Sequence, residues 1–168
     1  MRFIFGFIFA LVLCGAIGFG TLYFGFCPVN ADADPSWFEN KLAHFALDSY
    51  VSKQAKELPQ NPLKPTADVL MQGMKVFKSN CAGCHGSPAD KEGAFGRAFY
   101  PKAPQFWKKG LDDDARELFW ITKHGIRMSG MPSMKDLLKD EDIWKVVTFI
   151  GTISNLPAAV KAEWQKAS

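Results

Sequence analysis

Cys81-Ala82-Gly83-Cys84-His85 is the run in this chain best suited to do chemistry. Two thiols three positions apart can add across the two vinyl groups of one haem. The imidazole that follows then lies beneath the iron, where it can bind as an axial ligand. A dithiol redox motif of the Cys-x-x-Cys kind calls for a strand before it and a helix after it. Here a helical pattern precedes the cysteines and a glycine-rich stretch follows them. A structural zinc site needs more ligands at suitable spacing. Only His44 and His124 remain, both far away in sequence. The expected cofactor is therefore one haem c, bound through Cys81 and Cys84 with His85 on the iron.

The elements around the motif read as helices and loops. Thr66 is placed to cap a helix reaching about Ser79, just ahead of Cys81. A long irregular region, rich in Gly and Pro, runs from Gly86 to Leu111. Asp112, Asp113 and Asp114 put negative charge at the start of a helix ending at His124, with Gly125 as its stop. Asp140 opens a helix through about Ser154, and Ile143, Val146, Val147 and Ile150 form its apolar face. Pro157 starts a short terminal helix that bears Trp164. No stretch alternates as a strand would.

Upstream, Phe3 to Phe26 is an unbroken run of apolar residues, glycines and Thr21, with Arg2 before it and Asp32 and Asp34 after it. As a helix it would extend about 36 Å, enough to cross a hydrocarbon core of about 30 Å. The charge asymmetry keeps the N-terminus in the cytoplasm and places the rest outside. Val29-Asn30-Ala31 has the look of a cleavage site, but the apolar run is longer than a signal peptide needs, which favours an uncleaved signal-anchor. A second helix is expected from Asp34-Pro35 to about Leu58, with Phe38, Leu42 and Phe45 on one face. Pro59 to Pro65 reads as an extended linker. The chain thus divides into a transmembrane segment at 1–31, a helix and linker at 32–65, and a haem domain at 66–168.

The 168 residues carry 20 Lys+Arg and 17 Asp+Glu, a net charge of +3. That is too weak a basic balance to imply nucleic acid, though it can bias docking toward an acidic partner. The four cysteines do not form a disulfide framework: Cys14 and Cys27 lie in and at the end of the apolar leader.

From about Thr66 to Leu156 the chain resembles the class I cytochrome c family. The resemblance rests on the haem motif, the helix before it, and the run Ile121-Thr122-Lys123-His124-Gly125-Ile126-Arg127-Met128-Ser129-Gly130-Met131-Pro132, which is similar to the family's ligand loop. It implies an all-α fold, a small helical domain around one haem. It also implies Met131 as the sixth iron ligand beside His85, with Met128, Met134 and His124 as alternatives. Pro104-Gln105-Phe106 resembles the family's Pro-Asn-Leu element, which implies that the Pro104 carbonyl orients His85; Pro101 is a near alternative. Gly73 and Phe77 resemble the pair by which the first helix crosses the last, with Val146 and Phe149 facing them. Tyr100 and Trp107 are candidates to reach a haem propionate, or simply pack.

His/Met ligation closes both axial positions and raises the reduction potential. The resemblance therefore implies a single-electron carrier and not an enzyme, tethered to the cytoplasmic membrane with its haem domain in the periplasm or outside. The expected partners are redox proteins, a donor and an acceptor, with no nucleic acid and no small-molecule substrate. Lys102, Lys108, Lys109, Lys123, Arg127 and Lys135 are candidates for a docking rim. The alternatives are a permanent haem c subunit of a larger membrane redox complex, and a haem-based gas sensor with an open sixth position.

Overall fold

The computed structural model describes residues 2–93 and 95–166. The described residues form helices, turns and loops, without strands. The chain divides into two compact units between Ala33 and Asp34.

The first unit is one helix, α1 (Arg2–Tyr23). It buries none of its residues and carries Phe, Ile, Leu and Val all round its surface. At 1.5 Å per residue it is about 33 Å long, and it is long and apolar enough to cross a membrane.

Among the described residues the second unit contains six α-helices: α2 (Trp37–Ala55), α3 (Ala67–Asn80), α4 (Ala82–His85), α5 (Ala115–His124), α6 (Asp140–Thr152) and α7 (Ala158–Gln165). Its centre is the crossing of α3 and α6. Gly73 makes that crossing possible, because a Cβ there would lie 2.2 Å from the Lys145 carbonyl oxygen and 2.9 Å from the Phe149 Cβ. One turn on, Phe77 is fully buried and meets Phe149, Phe106 and Trp164 with ring centroids 5.5–5.8 Å apart. Leu70, Met74, Val146 and Val160 complete this core. α7 closes one end through Val160 and Trp164. A second cluster joins α5 to α6, with Phe119 stacked on Trp144 at 4.1 Å.

The helix ends follow local rules. The Thr66 hydroxyl accepts from the Val69 N–H, and the Asp114 carboxylate accepts from the Arg116 N–H. Gly125 ends α5 at φ 69°, a conformation cheap for glycine. Three boundaries differ from the sequence reading. α2 begins after Ser36, whose hydroxyl accepts from the Glu39 N–H, and not at Asp34-Pro35. The Ser-x-x-Glu spacing supplies a better cap than the aspartate. α2 also ends at Ala55, before a turn that reaches Leu58. α6 tightens into a 3-10 turn, Ile153–Asn155, beyond Thr152.

The region expected as helix and linker packs into this second unit. Val51 and Ala55 of α2 are buried, Ser52 donates to Glu117 of α5 at 2.6 Å, and Tyr50 meets Trp120 edge-on. Beyond α2, Asn61 donates to Thr148 of α6 at 2.9 Å, and Leu58 and Leu63 pack on the second cluster.

Candidate functional site

The cysteines sit where α3 breaks into α4. The Cys81 N–H still donates to Phe77, as the end of α3 requires, while the Cys81 carbonyl accepts from both Cys84 (3.1 Å) and His85 (2.9 Å). That single tight turn puts the two thiols on one face and His85 one step beyond. Both thiols are free and half-buried. Burial pushes the Cys81 thiol up to about 12, and Cys84 beside it adds to the effect. Ala82 packs into the core, and Gly83 is exposed.

His85 Nδ1 donates to the Pro104 carbonyl at 2.9 Å, and its ring stacks on Phe106 at 4.5 Å. Burial lowers the imidazole's pKa, and the Pro104 hydrogen bond works against that. A neutral ring with its Nδ1 proton committed presents Nε2 as the free lone pair, which is how a metal-binding histidine is usually oriented. Two free thiols on one turn beside such an imidazole are the donor set a covalently attached haem requires, so the residues fit the group.

Gln105 is a residue the sequence reading did not single out. Its Nε2 donates to the Cys84 and Ala103 carbonyls at 2.8 and 2.9 Å, and its Oε1 accepts from the Gly93 N–H at 3.1 Å. One side chain thus ties the motif turn to the glycine-rich loop. Gly93 and Gly96 let that loop lie on the motif, since a Cβ on either would come within 2.6 Å of the Cys84 backbone. The only signal in the sequence is position, between Pro104 and Phe106.

Met131 lies on a different loop, 125–135, folded back on the end of α5. Ile126 donates to the Met131 carbonyl, and Met134 and Lys135 donate to the Thr122 and Lys123 carbonyls. Ser129 bridges the turn, donating to Ile126 and accepting from Met131. The loop sorts its methionines: Met128 has φ 59° and is 92 % exposed, Met134 is buried, and Met131 is half-buried between them. Gly130 lies against the Phe99 ring, bringing this loop onto the glycine-rich one. Cys81, Cys84, His85 and Pro104 are thus one cluster. No hydrogen bond among the described residues links Met131 to it.

The remaining candidates have other partners. His124 is exposed and stacks on Trp120. Tyr100 donates to Glu39 of α2 at 2.9 Å. The Trp107 carbonyl accepts from Trp164 at 3.4 Å. Lys123 pairs with Asp140 at 2.8 Å, while Lys102, Lys108, Lys109, Arg127 and Lys135 are exposed.

The α3–α6 crossing, with the Cys-x-x-Cys-His motif at the end of α3, can be compared with known proteins. Residues 68–150 match the family described as cytochrome c oxidase, cbb3-type, subunit III. The chain is 28 % identical over 121 residues to the cbb3-type cytochrome c oxidase subunit FixP of Rhizobium meliloti (strain 1021), an alignment that covers 67 % of this chain and 39 % of FixP. It therefore spans about two fifths of that relative's length. A chain of the Kuenenia stuttgartiensis reducing HAO-like protein complex aligns at 22 % identity and a TM-score of 0.47, covering 55 % of this chain and 46 % of that one. Over residues 68–150 the match and the relative indicate a c-type cytochrome domain of the class I family.

Proposed function

We infer that this protein carries single electrons on one haem c attached through Cys81 and Cys84, with His85 and Met131 as axial ligands. The observation that carries the reading is the His85–Pro104 hydrogen bond beside two free thiols of the same turn. It holds the imidazole with Nε2 free and fixes its tautomer before any metal is bound. When bound, the haem supplies a reversible one-electron couple. The chain's own part is to grip it, orient His85, exclude water with Phe77 and Phe106, and hold Met131 in a closed loop. With His85 and Met131 both holding the iron, a bound haem would have no place for a substrate, so the proposed role is transfer and not catalysis.

In this reading residues 1–31 anchor the protein in the cytoplasmic membrane as a single pass. Residues 32–65 lead from this anchor and pack on the haem domain, and 66–168 work in the periplasm between a redox donor and an acceptor. The span-length apolar α1 and its flanking charges support it. A second reading, a permanent haem c subunit of a larger membrane redox complex, is favoured by the match to an oxidase subunit family.

The test is haem staining of the denatured chain, with spectra of the intact one. Wild type should retain haem through denaturation, and Cys81→Ala with Cys84→Ala should lose it. Haem that washes out of denatured wild type would sink covalent attachment. Purification from native membranes in mild detergent separates the two roles: a stoichiometric redox complex favours the subunit, a lone chain the shuttle.

A further inference from the structure

Helix α2 carries two apolar stripes, and the haem unit uses only one of them. The used side is defined by Val51 and Ala55, which are buried, by Leu47 and Gln54, which are half-buried, and by Tyr50 and Glu39, which meet Trp120 and Tyr100. At about 100° per residue, Phe45, Phe38, Ser49, Leu42, Lys53 and Ala46 fall in one arc on the far side of the helix. All six are exposed. Phe38, Leu42 and Phe45 are 67 %, 54 % and 69 % exposed, which is unusual for three large apolar side chains spaced i, i+4, i+7 on one helix. The arc holds Lys53 and no carboxylate; the exposed Lys41 lies beyond Phe45 on one side, and Glu39, which accepts from Tyr100, lies beyond Ala46 on the other.

We propose that this face of α2 lies on the surface of the lipid bilayer, its aromatic side chains in the headgroup region and Lys41 and Lys53 on anionic lipid. The inference rests on the reading of α1 as an anchor. Residues 24–36 join the end of α1 to the start of α2, so the face is never more than about 50 Å of chain from the span. Exposed apolar residues, Phe24, Phe26 and Val29, continue along that join, as a segment emerging through the interfacial layer would have them. An apolar stripe bordered by lysine matches the chemistry of an anionic membrane surface. The consequence for function is geometric. Because α2 is fastened to α5 by Ser52 and Tyr50, a bound α2 sets the height and tilt of the haem unit over the membrane.

The test uses the full-length haem protein in vesicles containing phosphatidylglycerol, in a Cys14→Ser, Cys27→Ser background. A solvatochromic dye is placed at Leu42→Cys, at Phe45→Cys, or at Asp48→Cys, an exposed site off the arc. An unchanged haem spectrum verifies each fold. The expected result is a blue shift and several-fold weaker acrylamide quenching at 42 and 45 but not at 48, partly reversed by Lys41→Glu with Lys53→Glu. Equal quenching at all three sites overturns the proposal while leaving the anchor intact. Protection that appears only at high copy number per vesicle overturns it in favour of a second copy. A chain that fails to float with the vesicles overturns the anchor reading and this inference together.

Discussion

The α3–α6 crossing and the glycine-rich loop meet at the same two cysteines, yet they are held by different forces. At the crossing, four aromatic rings and a set of branched aliphatic side chains are removed from water, and Gly73 lets two backbones approach. Around the loop little apolar surface is buried, and Phe95 is two-thirds exposed. That loop is held instead by Gln105 and by glycines lying on the Cys84 backbone. The contrast teaches that the motif has one apolar support, which sets its position, and one polar support, which sets its orientation. A defect in the first should unfold the unit, whereas a defect in the second should loosen only the haem's surroundings.

The largest effect tests the apolar side. Phe77→Ala leaves a cavity among Phe106, Phe149 and Trp164, and it should cost about 3–5 kcal/mol, read as a drop in denaturant midpoint. Gln105→Ala tests the polar side. It leaves partly buried groups unpaired at a cost of about 1–3 kcal/mol. The Gly93 amide should then exchange faster with solvent while the α3 and α6 amides stay protected; equal loosening in both regions would merge what is here drawn apart.

Asp114→Ala removes the α5 cap and should cost about 1 kcal/mol at neutral pH. The sign of its pH dependence follows from the carboxyl, which the Arg116 side chain holds below its usual range, helped by the Arg116 N–H. A depressed acid stabilises the fold above its unfolded pKa. The gap between wild type and variant should therefore persist down to about pH 4 and close below it. The smallest effect is Lys123→Ala. Its pair with Asp140 is partly exposed, so the loss should be under about 1 kcal/mol and should shrink in salt, as salt titration of the two midpoints would reveal.

The same contrast decides what could be read in advance. Helices leave periodic apolar faces and caps within a few residues, so the helix after Thr66 and the one ended by Gly125 were legible, while the crossing of Gly73 with Phe149 was implied only by the family resemblance. The start of α2 is marked by the Ser36–Glu39 spacing, beside a competing helix-start signal at Asp34-Pro35. Gln105 was not legible, because its partners at 84 and 93 are distant in the chain and nothing in a glutamine names the carbonyl it will meet. The division of Met128, Met131 and Met134 into outward, half-buried and buried required a backbone angle, φ 59° at Met128, which composition does not encode. The docking of α2 on α5 was equally hidden: with apolar residues on both sides, its sequence does not say which side packs.

Closure of the iron by His85 and Met131 is read most directly in the weak far-red absorption band of methionine-bound ferric haem, recorded for wild type, Met131→Ala and Met128→Ala. The band should be present in wild type, lost in Met131→Ala and retained in Met128→Ala. A high-spin wild type without the band, or one that binds carbon monoxide readily, would contradict it and put an open, ligand-binding iron in its place.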